Sequence, residues 1–418
     1  MKNKKILSGL ARAIFVTALL AVGAASTAVA AEKASMRSQL EDPLKAVQDA
    51  VQAKKYKEAL SKLDEAEAKV SDPSPYESYI LRRLRGSAAA GVGDAPTAIK
   101  SFNAVLESPL LPPEEKLPLL DALVRLSYSA KQYPQAIDYL QRYRAGGGTS
   151  AATLELLPQA LYVSQRYAEA EKELNNMIDD LEKAGKSPTE QQLQLLASCA
   201  LKRNAQADYL AALRRMVTFY PKKSYWLDLI LRTGSQPGFS NRLNLDVYRI
   251  RKLTGTLDSA SDFMEAAQLA LQDGFPGEAA GFLKQGYDRG VLGKGAAADV
   301  ERQNRLKALV ERKVAADKAT LADGERQAAR LANGDGLIVT GLNYVGYGQH
   351  EKGIPLMQQG VAKGNLKDPG GALLHLGYAQ LVAGRMADAQ KTLRNVQATN
   401  GSRELAALLV ILSRQSAE

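Results

Sequence analysis

With one cysteine, Cys199, the chain cannot close an internal disulfide, so its stability has to come from packing. Cys199 sits among Leu195, Leu196, Ala200 and Leu201 and reads as a small buried hydrophobe rather than a redox centre. Histidine is almost as scarce. His350 and His375 are the only two, and neither stands in H-E-x-x-H or beside cysteines or carboxylates at metal-ligand spacing, so both read as structural or surface groups. There is no G-x-S-x-G nucleophile elbow. Asp179, Asp180 and Glu182 lie among polar residues at an expected helix end and read as a solvated face. Gly146-Gly147-Gly148 lacks the strand and the Lys-Ser/Thr of a phosphate loop, and Gly346-Tyr347-Gly348 is a lone G-x-G. No catalytic, metal or cofactor residues are therefore assigned. No alternating Val/Ile/Thr run argues for strands, and the richness in Ala, Leu, Gln, Lys and Arg favours an all-α chain.

What is present begins with a leader. Residues 1–30 combine a basic start (Lys2, Lys4, Lys5, Arg12), an apolar stretch from Ala13 to about Ala25 and the small-residue signal Ala28-Val29-Ala30. This is the pattern of a cleaved secretory signal peptide, the apolar run being short for a retained anchor. Cleavage before Ala31 removes four bases and no acids, which lowers the formal charge from +10 to +6. Export, with no eukaryotic features in the sequence, points to a bacterial periplasm, where nucleic acid is not an expected partner and acidic proteins, acidic polymers or anionic lipid are. No later stretch is apolar enough to span a bilayer, so membrane contact is at most peripheral.

The segment Leu373–Val396 is the clearest copy of a recurring unit. Leu373, Leu376 and Gly377 fit W-x2-L-G with Leu for Trp, Gly384 supplies a turn, and Ala389 with Leu393 fits A-x3-F. The same small-residue and apolar pair recurs at Ala59 with Leu63, Ala98 with Phe102, Ala136 with Leu140, Ala170 with Leu174 and Ala279 with Leu283, with turn signals such as Gly93-Asp94, Gln132-Tyr133 and Arg166-Tyr167 between the helices. The spacing of about 34 to 39 residues suits helical hairpins. The unit resembles the tetratricopeptide repeat (TPR), and the stretch Tyr220–Leu292 is similar to exported proteobacterial TPR proteins, some of them linked to TonB-type energy transduction. That resemblance implies a right-handed α-solenoid of about nine hairpins.

Its expected organisation runs from the signal peptide (1–30) through repeats at 40–290, with a degenerate hairpin at 222–255, to a charged, atypical hairpin at 293–336 and final repeats with a closing helix at 337–418. Leu405, Leu408, Leu409 and Leu412 form the apolar face of that helix, suited to covering the exposed end of the stack. Pro158 stands where the family prefers a small residue, which questions the straightness of its helix.

In TPR proteins the leading helices line the binding groove. By that resemblance the candidate contacts with a protein or peptide partner are Arg83, Asp121, Arg125, Tyr128, Glu155, Gln159, Tyr162, Gln194, Gln268 and Tyr378. Tyrosine and arginine suit recognition because each offers contact area with a polar tip. The Lys and Asn carboxylate clamp of chaperone-binding members is absent. A second, basic stretch comprises Arg242, Arg249, Arg251, Lys252, Lys284, Arg302, Arg305, Lys307, Arg312 and Lys313, interspersed with Asp246, Glu301 and Glu311. It reads first as a charged helix face and second as a surface for anionic polymer or lipid. The expected function is a non-catalytic periplasmic scaffold or adaptor; the alternative is a peripheral envelope factor that uses these basic helices.

Overall fold

The computed structural model describes residues 36–415, so the expected signal peptide lies outside the described residues. Among the described residues the chain is helix, turn and loop with no strand. It is an α-solenoid built from antiparallel helical hairpins and divides into two compact units, the first ending at Ala184 and the second starting at Gly185. The expected organisation had no boundary there.

The first unit holds the hairpins α1 (Ser38–Gln52) with α2 (Tyr56–Ala68), α3 (Pro75–Val92) with α4 (Ala95–Leu106), and α5 (Pro113–Ser129) with α6 (Tyr133–Ala145), followed by α7 (Ala151–Leu154) and α8 (Leu156–Val163) leading into α9 (Tyr167–Lys183). Pro158 explains the interruption between α7 and α8. It has no N–H to donate to the carbonyl of Leu154, and its ring crowds that carbonyl, so the helix breaks at Glu155. Local chemistry sets other boundaries. Ser74 and Glu77 form a reciprocal capping box at the start of α3, and Glu77 also receives the guanidinium of Arg37 (2.7 Å), which ties the start of α1 to α3.

The second unit holds α10 (Glu190–Lys202) with α11 (Gln206–Phe219), α12 (Lys223–Gly234) with α13 (Asn244–Leu253), α14 (Ala260–Gln272) with α15 (Pro276–Asp288), α16 (Ala297–Arg330), α17 (Asp335–Gly346) with α18 (His350–Lys363), α19 (Pro369–Val382) with α20 (Met386–Arg394), and α21 (Ser402–Gln415). The degenerate region is a hairpin, α12 with α13, whose connection contains a short 3-10 turn at Asn241–Leu243.

Most hairpin turns share one construction. A left-handed residue follows the leading helix: Lys54, Gly93, Lys131 and Gln165 in the first unit, Asn204, Gly274, Gly348 and Gly384 in the second. The next N–H then donates back into the last helical turn, as Arg166 does to Leu161 (2.9 Å) and Arg385 to Gln380 (2.9 Å). This caps the leading helix and reverses the chain. The hairpin interiors are equally regular. The small residues Ala59, Ala98, Ala136, Ala170, Ala279 and Ala389 are fully buried, and their apolar partners Leu63, Phe102, Leu140, Leu174, Leu283 and Leu393 are at most 3% exposed. Glycine on the leading helix admits such a partner: a Cβ at Gly86 would lie 2.6 Å from the Phe102 ring, and one at Gly377 would lie 2.5 Å from Leu393.

Two expectations are corrected. The charged stretch at 293–336 is not a hairpin, because α16 is a single helix of 34 residues. No proline or left-handed turn interrupts its helix formers, and Gly324 is absorbed as an ordinary helical position with open space around it. It is an insertion in the array: α15 packs directly on α17, the Asn343 amide donating to the Gly274 carbonyl (3.2 Å), while α16 lies beside them. The closing helix does more than cover the last hairpin. Besides α19 and α20, α21 packs on α11, α12 and α13; Gln415 Nε2 donates to the Val217 carbonyl (2.5 Å) and Ser240 N–H to the Asn400 carbonyl (2.9 Å). The second unit thus closes on itself.

Candidate functional site

In the first unit the candidate side chains form a ladder along successive leading helices. Arg83 on α3 reaches Glu115 on α5 (2.7 Å) and receives the support of Tyr79, whose hydroxyl accepts from its guanidinium at 3.0 Å. On α5, Asp121 accepts from Arg125 Nε (2.8 Å), and both engage Thr153 on α7, Arg125 donating to its hydroxyl at 2.9 Å while that hydroxyl donates to Asp121. Tyr128 donates to Gln159 on α8 (2.9 Å) and stacks edge-on against Tyr133, the centroids 5.5 Å apart. Tyr162 makes the same edge-on contact with Tyr167 (5.3 Å), and Glu155 lies half-buried at the break before α8. Burial raises the pKa of Tyr128 above its ordinary value, so the hydroxyl remains a donor at neutral pH.

The ladder has a counterpart in the second unit. Glu190 on α10 accepts from Lys222 (2.5 Å) and from the Tyr225 hydroxyl (2.5 Å), and Gln194 donates to that same hydroxyl at 2.7 Å. The Lys222 and Tyr225 hydrogen bonds hold the Glu190 carboxyl below its ordinary range. Gln268 is exposed on α14 at the edge of a cleft.

Tyr378 departs from its expected place on the groove. It is buried, and its ring packs 5.5 Å from the Arg249 guanidinium inside a charge cluster that joins α13, α15 and α19. Arg249, 2% exposed, donates to Asp246 (2.7 Å) and makes a bidentate pair with Glu278 (2.9 and 2.7 Å), with Phe275 on its face at 5.2 Å. His375 Nε2 sits 3.1 Å from the Asp246 carboxylate. Burial pushes the Asp246 carboxyl up, but the opposing pull of His375 and Arg249 is larger and holds it at about 2. Burial and the neighbouring Glu278 push the Tyr378 hydroxyl well above its usual range. The sequence carried a sign of this cluster: Asp246, Arg249 and Glu278 interrupt inward stripes that hold Leu245, Ile250 and Ala279.

The cluster also changes the reading of the basic stretch. Arg249 and Arg251 belong to the interior, Arg251 donating to Asp262 (2.7 Å) and to the Thr256 carbonyl. Burial lowers the Lys252 pKa, and its ammonium lies 5.0 Å from the Phe282 ring. Lys284 pairs with Asp288 (2.6 Å), Arg302 with Asp299 and Arg305 with Glu301, while Lys307 lies over Tyr287 at 5.2 Å. The stretch is therefore not one uniform basic surface. Among the described residues no group of three or more His, Cys, Asp or Glu could hold a metal ion, and no helix is long and apolar enough to cross a membrane.

No protein-family model matches the chain, and no curated protein matches it in sequence. Solved structures with which it aligns include yeast Tom70 (11% identity over 90% of this chain and 96% of that one, TM-score 0.23) and the TPR domain of P58(IPK) (14%, 91% and 100%, TM-score 0.23). A third is Naa15/Naa10 bound to HypK-THB (13%, 85% and 68%, TM-score 0.27). The TPR-like hairpin pattern stands on the chain's own turns, glycines and buried pairs.

Proposed function

We propose that the protein is a non-catalytic scaffold of the bacterial periplasm that holds a protein or peptide partner along its leading helices. The observation that carries this reading is the ladder Arg83–Glu115, Arg125–Asp121–Thr153 and Tyr128–Gln159. These side chains bridge consecutive leading helices and are held by one another around the buried Thr153; the rest stay at least partly exposed, so a partner meets groups already ordered. Export is supported by the basic start, the apolar stretch and the Ala28-Val29-Ala30 signal. The alternative, an envelope factor binding anionic polymer or lipid through basic helices, is weakened by the burial of Arg249 and Arg251.

Crosslinking in cells followed by identification of the joined proteins tests the reading. A specific envelope partner should be recovered with the wild type and lost with Arg125→Ala combined with Tyr128→Ala, helicity being unchanged. Equal recovery with that variant counts against the ladder. Release on osmotic shock of a form beginning at Ala31 is expected, and a chain retained with its leader would overturn the compartment.

A further inference from the structure

A second surface, within the second unit, lies between α14 and the first half of α16. The two helices stand apart there and leave a cleft of ≈ 800 Å3, within the size range of ligand-binding clefts. Its apolar lining includes Met264 from α14 and Leu306 and Leu309 from α16, and Leu309 remains 37% exposed although it is a large aliphatic side chain. Its charged lining is Lys294, Arg302 and Arg305 against Glu265 and Asp299, an excess of cation.

The carboxylates there are already engaged. Glu265 is hydrogen-bonded to Tyr248, and Asp299 receives Arg302. Lys294 makes no ion pair among the described residues. Arg302 and Arg305 are tied only to Asp299 and Glu301 on their own helix, with side chains 67% and 62% exposed. Exposed pairs of this kind are weak and exchange readily for an incoming carboxylate. The cleft exists because α16 is an insertion: α15 and α17 complete the array without it, and α16 buries Gln303, Leu306 and Val310 in its first half. The flank of α14 facing this gap is left partly open, with Met264 half-buried and Gln268 exposed.

We infer that this cleft docks an amphipathic helical segment of a partner protein, with apolar side chains on Met264, Leu306 and Leu309 and flanking carboxylates on Lys294, Arg302 and Arg305. Charge complementarity and the helix-in-groove geometry select this occupant. The inference does not rest on the ladder, because every residue in it belongs to the second unit.

The test uses the mature chain and a short fluorescent helical peptide with leucines on one face and glutamates on both flanks. Its controls are the same peptide with glutamine for glutamate, the same peptide with alanine for leucine, and phosphatidylglycerol vesicles as competitors. Both peptide controls should bind about tenfold more weakly. Leu309→Asp and Arg302→Glu combined with Arg305→Glu should each weaken the parent peptide by a similar factor, whereas Tyr128→Ala should leave its affinity unchanged. Absence of measurable binding, equal binding to Leu309→Asp, or displacement by vesicles as effective as by unlabelled peptide would each overturn the inference, the last in favour of a lipid surface. Leu309, Arg302 and Arg305 are exposed and Tyr128 is half-buried, and unchanged thermal melts of all three variants show that the fold is retained.

Discussion

At the scale of single residues, the repeat works through a few steric and conformational constraints. Gly377 faces Leu393 so closely that a Cβ would stand 2.5 Å from it. Gly377→Leu should wedge α19 from α20 and cost about 1–3 kcal/mol, seen as a lower midpoint in thermal or urea unfolding. Melting together with the wild type would refute the contact. The left-handed turn residues predict the opposite sign. Gln165 adopts φ +60° where the hairpins at Gly93, Gly274, Gly348 and Gly384 have glycine, a conformation that disfavours a side chain by about 1 kcal/mol. Gln165→Gly should therefore raise stability by up to that amount, offset in part by glycine's greater freedom in the unfolded chain. Gly377 was legible from its motif. The strain at Gln165 was not, because its left-handed geometry is imposed by the capping bond from Arg166 to Leu161.

At the scale of elements, buried charge joins helices that are remote in sequence. Arg249 is satisfied by Asp246 from its own helix and by Glu278 from α15, and His375 brings α19 to Asp246. Removing one partner of such a set leaves an uncompensated charge, so Glu278→Gln should cost about 3–5 kcal/mol, read from chemical unfolding of the second unit. The pH dependence has a definite sign. The Asp246 carboxyl is held at about 2 in the folded chain and titrates near 4 when unfolded. Its contribution is therefore complete above about pH 4 and lost as the pH falls towards 2. Asp246→Asn should be less stable than wild type at neutral pH, with the gap narrowing over that acid window. A constant gap would show that the carboxylate does not act through its charge. The helices themselves were readable from periodicity, but this set was not, because α13, α15 and α19 meet only in the folded array.

At the scale of the whole molecule, the second unit depends on its last helix. Leu405, Leu408, Leu409 and Leu412 are buried where α21 packs on α19 and α20 and crosses to α11, α12 and α13. A buried leucine contributes about 2 kcal/mol, so a chain truncated before Ser402 should lose the cooperative unfolding of the second unit and bind hydrophobic dye. Retention of the wild-type transition would show that α21 is dispensable. The first unit is built separately, its beginning tied by Arg37 to Glu77, whose carboxyl that hydrogen bond holds at about 2.

The sequence alone determined the all-helical class, the hairpin unit and its buried pairs, because the small-residue and apolar spacing is a local property of two adjacent helices. It also located Pro158, whose missing N–H acts within its own helix. Tertiary structure decided the features that require distant segments to meet. It buried Arg249 and Tyr378, which local pattern placed on a surface. It let α16 run as one helix beside a completed α15–α17 contact and so opened the cleft. It carried α21 back to α11, closing an array that the repeat pattern by itself leaves open, since identical local units constrain their neighbours and not the far end.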